Sequence, residues 1–364
     1  MKRLVCFHLF NDFSGSPKVL RLVLGELAEK NILIDLVTSK GGGALSDLVK
    51  WPNVRISTYA YRFSDNPAVT MIRYFCVQIY IFLFAFRYAF SKDVNFYVNT
   101  ILPIGAVFAG RLTGKQVIYH YHENAFVKGT FYKLLARAMQ YLATKIICVS
   151  EYQRSFFKRE KNVYVVPNAV PAGFVYRLCP NPKEAFERKC VLMLGSLKRY
   201  KGTLEFIKLA QYMKDYRFEL VLNETQENID IFLKENNIEY SGNLKIYPRQ
   251  NDVVPFYNRA TVVLNLSNKK LFIETFGLTA LEAMSAGLPV IVPTVGGIAD
   301  MVEDGVNGYK IDVQDLDLIK DKLQKLMADK ELYLKMAGNA LQVSKRFSEE
   351  SMIKQIGEIF EVRV

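Results

Sequence analysis

Short apolar runs alternate with stretches of helical periodicity from the start of the chain. The segment Arg3–Phe10 predicts a strand, and Lys18–Lys30 predicts a helix because its apolar residues recur at every third or fourth position. Further strands of the first half are predicted at Leu33–Thr38, Val94–Val98, Gln116–His120, Lys145–Val149 and Val163–Val166. Wholly apolar strands separated by helices are typical of a parallel sheet with helices on both faces.

The same pattern restarts after a proline-rich break at residues 167–182. Strands of the second half are predicted at Cys190–Leu194, Phe218–Leu222, Leu244–Tyr247, Thr261–Leu266 and Pro289–Val292. The chain therefore predicts two doubly wound α/β domains whose facing strand ends define a cleft. We expect an N-terminal domain at 1–170, a linker at 171–189, a C-terminal domain at 190–346 and a final helix at 347–364 that packs back toward the N-terminal domain.

One apolar segment, Tyr74–Phe86, lies between Arg73 and Arg87. It is shorter than the roughly 20 residues that a membrane-spanning helix needs. We expect a buried or partly buried helix. The alternative is a helix that lies in the membrane interface, a depth that suits aromatic side chains flanked by arginines.

Composition narrows the class of protein. The chain has 364 residues, of which 50% are apolar and 23% charged, and this excludes disordered and fibrous proteins. Its five cysteines are an odd number, and none lies within three positions of another, which excludes a C-x-x-C zinc or redox site. The N-terminus has no secretory pattern, so we expect a cytoplasmic protein.

The positive charge is confined to the first half. Residues 1–168 contain 22 Lys+Arg against 10 Asp+Glu, whereas residues 169–364 contain 26 of each. This asymmetry predicts that the first half faces an anionic partner: nucleic acid, a phospholipid surface or a phosphate-bearing substrate. A solubility bias without a partner is the alternative. No helix-turn-helix, zinc-finger or RNP-like pattern is apparent, so we do not expect nucleic-acid binding.

The segment Glu274–Val290 carries the strongest chemical signal. It reads as a loop, a short helix and a Gly-x-Pro turn into a strand. Gly277 lets the backbone approach a ligand, and the helix start behind it offers unpaired N–H groups to a diphosphate. Glu274 and Glu282 flank this point, where carboxylates accept hydrogen bonds from sugar hydroxyls. Solvated surface glutamates are the alternative, and the apolar surroundings disfavour it.

This segment resembles the E-x7-E motif of the retaining glycosyltransferases of family 4, which have the GT-B fold of two facing Rossmann-like domains. The resemblance extends through Gly195–Gly202, Val254–Tyr257 and Gly296–Asp300, and it is weaker in the first half. The chain resembles in particular the members that act in bacterial polysaccharide biosynthesis. The resemblance implies sugar transfer with retention of the anomeric configuration and without an obligatory metal or cofactor.

The resemblance also implies roles for individual residues. Glu274 matches the residue that contacts the donor sugar, Glu282 the one that holds the ribose hydroxyls, and Lys201 the one that binds the diphosphate. Further donor-site residues implied in this way are Gly15, Ser16, Gly195, Ser196, Arg199, Phe276, Gly277 and Leu278. Many members have arginine where this chain has Ser196, and Arg199 is a candidate replacement.

All three histidines, His8, His120 and His122, fall at predicted strand ends, where a lone histidine is more often structural than catalytic. The segment Ile118–Asn124, however, resembles the family's His-Asp/Glu segment, whose histidine contacts the donor sugar near the reacting carbon. It implies His122 as the first candidate and His120 as the second. The implied catalytic residues are therefore His122, Glu274 and Lys201.

No metal site is predicted. The histidine pair lacks a third ligand at a recognisable spacing. The sequence Asp315-Leu316-Asp317 mimics the D-x-D metal motif of a different glycosyltransferase fold. It opens a charged helix, where acids at a solvated helix start explain it better.

Together these features predict a glycosyltransferase whose donor is a nucleotide-diphosphate sugar, with UDP favoured and GDP next. The basic first half predicts a lipid-diphosphate-linked glycan acceptor in capsule, O-antigen or exopolysaccharide assembly, and a peripheral position on the inner face of the cell membrane. A GT-B sugar-nucleotide epimerase or phosphorylase is the enzymatic alternative. A non-catalytic membrane- or partner-binding protein on the same fold is the other.

Overall fold

The computed structural model describes residues 3–158 and 161–361. The chain divides into two compact units: unit 1 comprises Met1–Asn168 and Glu350–Val364, and unit 2 comprises Ala169–Glu349. Each unit contains one wholly parallel sheet with helices, seven-stranded in unit 1 and six-stranded in unit 2. The predicted fold class is confirmed.

The sheet of unit 1 has the strand order β3-β2-β1-β4-β5-β6-β7. Its strands are β1 Arg3–Phe7, β2 Leu33–Ser39, β3 Val54–Tyr59, β4 Val94–Asn99, β5 Gln116–Tyr121, β6 Lys145–Cys148 and β7 Val163–Val165. Its helices are Gly15–Glu29, Pro67–Phe86, Ile104–Leu112, Thr130–Leu142 and Glu151–Arg154, with a 3-10 turn at Ser46–Lys50. The last helix of the chain, Glu349–Phe360, also belongs to unit 1, apart from its first residue. The central strands β1, β4 and β5 are almost entirely buried because helices cover both faces.

The long helix of unit 1, Pro67–Phe86, begins where Asn66 accepts a hydrogen bond from the Ala68 N–H at 2.9 Å, with proline in the first helical position. Its 20 residues have a mean hydropathy of 1.8 over the most apolar window, of which 33% is buried. By length and composition alone it could cross a membrane, but the core helix of a soluble protein can have the same length and composition. Its buried side contacts Ile104–Leu112, where the Gly105 N–H donates to Gln78 at 3.0 Å.

The sheet of unit 2 has the strand order β10-β9-β8-β11-β12-β13. Its strands are β8 Cys190–Gly195, β9 Arg217–Leu222, β10 Leu244–Tyr247, β11 Val262–Leu264, β12 Val290–Val292 and β13 Gly308–Lys310. Its helices are Ala172–Val175, Pro182–Arg188, Thr203–Tyr212, Gln226–Glu235, Val254–Arg259, Leu278–Ser285, Gly297–Asp300, Leu316–Ala328 and Lys330–Ser344, with 3-10 turns at Arg199–Lys201 and Lys345–Phe347. The turn after β8 and the loop after β11 come from neighbouring strands, so they meet at one edge of the sheet.

Residues 171–189, which the sequence suggests as a linker, lie in unit 2, where they form two helices. Phe186 packs against Tyr333, with ring centroids 5.4 Å apart. The last helix of the chain packs on unit 1. Phe360 stands edge-on to Tyr97 at 4.9 Å, and Lys145 Nζ donates to the Ile359 carbonyl at 2.7 Å.

Candidate active site

Lys201 and Glu274 form an ion pair at the carboxyl edge of the unit 2 sheet. Lys201 Nζ lies 2.5 Å from Glu274 Oε1, and the Ser267 hydroxyl donates to the same oxygen at 2.7 Å. The ammonium group also lies 4.9 Å from the centre of the Phe272 ring. The two side chains are 25% and 13% exposed, so the pair is sheltered but open to a ligand. Ser267 is a member of this cluster that the sequence pattern did not reveal.

The backbone of Glu274 is held by the turn that follows β12. The Gly297 N–H donates to the Glu274 carbonyl at 2.9 Å. Gly296 has a φ of +103°, and a Cβ atom there would lie 2.4 Å from that carbonyl oxygen. The close approach therefore requires glycine at 296, and it fixes the loop from which the Glu274 carboxylate projects.

Helix Leu278–Ser285 starts directly after this loop. Gly277 caps it in the left-handed conformation with φ +92°, and no side chain caps it and no acid stands in its first turn. The first N–H groups of a helix have no acceptor within the helix and carry a partial positive charge. This helix start therefore attracts an anion, as the positive charge of Lys201 does.

Glu282, one turn into this helix, is held by a buried tyrosine. The Tyr257 hydroxyl donates to Glu282 Oε2 at 2.5 Å. Burial, reinforced by the carboxylate, raises the pKa of Tyr257 well above its usual value, so the tyrosine remains a donor. The bond fixes one carboxylate oxygen of Glu282. Tyr257 lies within a segment that carried the resemblance, but the sequence pattern assigned no role to it.

The remaining predicted residues of unit 2 lie close in sequence to Lys201 or to helix Leu278–Ser285. Gly195 ends β8, and the Ser196 carbonyl accepts a hydrogen bond from the Thr203 hydroxyl at 3.0 Å. Phe276 is buried against Phe347, with ring centroids 5.9 Å apart. Arg199 lines a surface cavity with Lys270 and Gln314, among others, and neither Lys201 nor Glu274 lines that cavity.

In unit 1, polar side chains gather where β1, β4 and β5 end. His122 Nε2 lies 2.9 Å from Asn99 Oδ1, and Asn99 Nδ2 lies 3.0 Å from His8 Nδ1. His120 packs 4.1 Å from the His122 ring, and its Nδ1 lies 2.6 Å from the Tyr97 hydroxyl. Burial lowers the pKa of His8 to about 4, that of His120 to about 3 and that of His122 well below its usual value.

Gly15 and Ser16 begin the helix after β1, and the Ser16 carbonyl accepts from Asn99 Nδ2 at 3.4 Å. Asp315 caps helix Leu316–Ala328 by accepting from the Leu318 N–H at 3.1 Å, the structural role expected for the D-x-D sequence. Within residues 3–158 and 161–361, no group of three or more His, Cys, Asp or Glu side chains is arranged to hold a metal ion.

Comparison with known proteins shows which proteins this chain resembles. Residues 180–343 match the family model of the glycosyl transferases group 1. An uncharacterized glycosyltransferase of Haemophilus influenzae is 26% identical over 71% of this chain and 72% of its own length. The crystal structure of Anabaena Alr3699/HepE with UDP-glucose superposes with a TM-score of 0.78 at 17% identity over 99% of both chains. That of WaaG, a glycosyltransferase involved in lipopolysaccharide biosynthesis, gives 0.72 at 17% identity over 98% and 99%.

Residues 180–343 thus resemble the group 1 glycosyltransferases, and the chain has the GT-B fold. The resemblance drawn from the E-x7-E segment is thereby confirmed, as is the expectation of a glycosyltransferase. Crystal structures of Anabaena Alr3699/HepE contain UDP in one case and UDP-glucose in another.

Proposed function

We propose that this protein transfers a sugar from a UDP-sugar to a hydroxyl group of a growing glycan, with retention of the anomeric configuration. The observation that carries the proposal is the Lys201–Glu274 pair beside the start of helix Leu278–Ser285. The Lys201 ammonium and the N–H groups of the helix start can bind a diphosphate, and the adjacent Glu274 carboxylate can accept hydrogen bonds from sugar hydroxyls. A UDP complex and a UDP-glucose complex of a protein with the same fold favour uridine over guanosine.

In the proposed reaction, the bond between the anomeric carbon and the diphosphate oxygen breaks. Lys201 and the helix N–H groups stabilise the negative charge that develops on the diphosphate. The acceptor hydroxyl attacks from the face that the leaving group vacates, and its proton passes to a donor phosphate oxygen. This route needs neither a protein base nor a metal ion. Glu274 orients the sugar, and Glu282 holds the ribose.

A thermal-shift titration with UDP, GDP, ADP, CDP and dTDP tests the donor site. We expect UDP to stabilise the protein by about 2.7 kcal/mol at 100 times its dissociation constant, a shift of a few degrees. Glu282→Ala removes the ribose contact and should abolish the shift, whereas Glu303→Ala, an exposed carboxylate of the same unit, should keep it. A larger shift with another nucleotide, or an equal shift in Glu282→Ala, contradicts the assignment.

The stereochemistry can be read from the same protein once its donor is known. Slow transfer to water, followed by proton NMR in the presence of EDTA, reports the anomer released before it equilibrates. An α-linked donor should release the α anomer first. Release of the β anomer, or loss of turnover in EDTA, contradicts the retaining, metal-independent mechanism.

We further propose that the acceptor is a lipid-linked glycan and that unit 1 rests on an anionic membrane surface. Helix Pro67–Phe86 exposes an apolar stripe, which consists of Ile72, Phe75, Ile79, Leu83 and Phe86. The spacing of three and four residues places the stripe on one face of the helix. The neighbouring helix exposes Phe108 and Leu112, and Phe90 is 98% exposed.

The charge around the apolar stripe favours an anionic membrane as its partner. Arg73 follows the first residue of the stripe and Arg87 follows the last, and residues 1–168 carry the whole net positive charge of the chain. Apolar side chains with flanking cations suit a helix that lies in the interface of an anionic bilayer. The protein is then cytoplasmic and peripheral on the inner face of the cell membrane. The lipopolysaccharide enzyme with the same fold supports an acceptor of this class.

Ile79→Glu should lower binding to vesicles that contain phosphatidylglycerol by about tenfold, because it removes apolar area and places a charge in the interface. Ile79 is 61% exposed, so the change should not affect folding. Ile231→Glu is the matched control, since Ile231 is 47% exposed on helix Gln226–Glu235 of unit 2. Sedimentation with vesicles at low salt measures both. Equal binding of the two variants, or no binding by the parent protein, contradicts the proposal.

A further inference from the structure

Ser267 is a neutral partner of the Glu274 carboxylate. Its hydroxyl donates to Glu274 Oε1 at 2.7 Å, and Lys201 Nζ lies 2.5 Å from the same oxygen. A carboxylate oxygen has about two acceptor positions, so these two donors fill those of Oε1. Oε2 accepts no hydrogen bond in the parts of the chain that the structure describes, and it is not one of the buried polar atoms that lack a partner. Oε2 is therefore the oxygen that a ligand can reach.

The main chain around Ser267 is anchored to the sheet of unit 2. The Asn265 N–H donates to the Ile291 carbonyl of β12 at 2.9 Å, and Asn265 Oδ1 accepts from the Ser267 N–H at 3.1 Å. Ser267 itself is 2% exposed. A hydroxyl on such a buried and hydrogen-bonded segment has a fixed position from which it can orient a neighbouring side chain.

The turn after β8 lies against this segment. Gly202 has a φ of +76°, and a Cβ atom built on it would lie 2.3 Å from the Leu266 carbonyl oxygen. The Asn268 N–H also donates to the Tyr200 carbonyl at 2.8 Å. These contacts hold the turn after β8 and the loop after β11 together, so Lys201 reaches the same carboxylate oxygen from a different part of the chain.

Lys201 has two anions to bind in the proposed reaction. Its ammonium group has three protons, which it must divide between the Glu274 carboxylate and the leaving diphosphate. The Ser267 hydroxyl has one proton, and Glu274 is its only acceptor among the residues that the structure describes. Ser267 can therefore hold the carboxylate while Lys201 turns toward the diphosphate.

We propose that Ser267 is a positioning residue that holds Glu274 through Oε1, so that Oε2 accepts a hydrogen bond from a hydroxyl of the donor sugar while Lys201 stabilises the diphosphate. The inference rests on the proposed function for the roles of Glu274 and Lys201. A hydroxyl suits this task because it is uncharged and does not draw the diphosphate away from Lys201, as a second cation would. A carboxylate that is already oriented needs no rearrangement during transfer.

The experiment compares turnover with nucleotide binding in Ser267→Ala. Turnover is measured as UDP release with water as the acceptor, using whichever of UDP-glucose, UDP-galactose, UDP-N-acetylglucosamine and UDP-glucuronate the parent protein turns over fastest. We expect kcat to fall by about ten- to a hundredfold, the effect of one hydrogen bond to a charged group, with a smaller change in the donor KM. UDP has no sugar to orient, so its dissociation constant, measured by calorimetry, should stay within about twofold.

Ser344→Ala is the matched control. Ser344 is a serine of the same unit that is 8% exposed, and its hydroxyl donates to the Leu341 carbonyl of its own helix at 2.8 Å. Its loss should leave both kcat and the UDP affinity unchanged. If Ser267→Ala binds UDP several-fold more weakly than this control, the serine only maintains the loop and the inference is overturned.

A double-mutant cycle with Glu274 shows whether Ser267 acts through the carboxylate. In a Glu274→Ala background, the further loss of Ser267 should change kcat by less than about twofold, because the side chain that it positions is already gone. An equal loss in both backgrounds, or full kcat in Ser267→Ala, overturns the inference and leaves the proposed function standing. Full kcat in Glu274→Ala, or no turnover of any of the four donors by the parent protein, contradicts the proposed function and the inference with it.

Discussion

Replacing Lys201 by methionine is expected to lower kcat for sugar transfer by about 10²- to 10³-fold, the usual cost of losing one group aimed at developing charge. Methionine keeps the length of the side chain and its contact with Phe272 but removes the ammonium group. The charge is then missing where the diphosphate leaves. Ser267 still donates to Glu274, so the carboxylate keeps one partner and the loop should stay in place.

Lys269→Met is the matched control for this change. Lys269 lies after β11, the strand next to β8, which Lys201 follows. It is similarly exposed at 30% and pairs with Asp312 at 3.0 Å, but it contacts neither carboxylate of the E-x7-E motif. We expect its loss to leave kcat within about twofold, since a partly exposed ion pair contributes roughly 1 kcal/mol or less to stability. Steady-state assays on both variants decide the matter. Equal losses of activity would show that Lys201 acts only through the structure of the loop.

Gly277→Ala is expected to destabilise unit 2 by about 2 to 5 kcal/mol and to weaken UDP binding by more than tenfold. The left-handed φ of +92° costs a residue with a Cβ about 1 to 2 kcal/mol. The new methyl group would also lie 2.5 Å from Ile298 Cγ1 in a fully buried position, and overpacking of that kind adds about 1 to 3 kcal/mol. Relief of the contact moves the helix start away from the diphosphate.

Gly305→Ala separates the two contributions. Gly305 has a φ of +75°, but nothing lies within 4 Å of a Cβ built on it. Its substitution should cost only the conformational part and leave UDP affinity unchanged. Urea denaturation and calorimetric titration of both variants measure the difference. If the two variants are equally destabilised and both bind UDP like the parent, Ile298 does not hold the helix start in place.

The strands show which parts of the fold local pattern determines. Leu244–Tyr247 is found as predicted, and the buried strands at Cys190 and Gln116 begin where their apolar runs begin. The edge strand Val54–Tyr59 escaped prediction because only its first and last residues are buried. Its polar positions face water, so it lacks the continuous apolar run of a central strand. The short strand Gly308–Lys310 has too few residues for a pattern to show.

Some residues of the candidate active site can likewise be recognised in the sequence, and others cannot. Gly277, Glu274 and Glu282 are recognisable because they lie in one contiguous segment whose local structure is a loop and a helix start. Ser267 and Tyr257 are not, because a serine or tyrosine in a loop or helix has many ordinary uses. Their roles depend on tertiary contacts, since Ser267 donates to Glu274 and Tyr257 donates to Glu282.

The sequence by itself determined the fold class, the charge asymmetry and the E-x7-E segment, since each depends on composition or on residues close together in the chain. Only the tertiary structure decided that Lys201 pairs with Glu274, because that contact requires β8 and β11 to be neighbours in the sheet. It also decided that Asn99 lies between His8 and His122, since β4 runs between β1 and β5. Strand order is set by the packing of whole helices and sheets, and no local pattern encodes it.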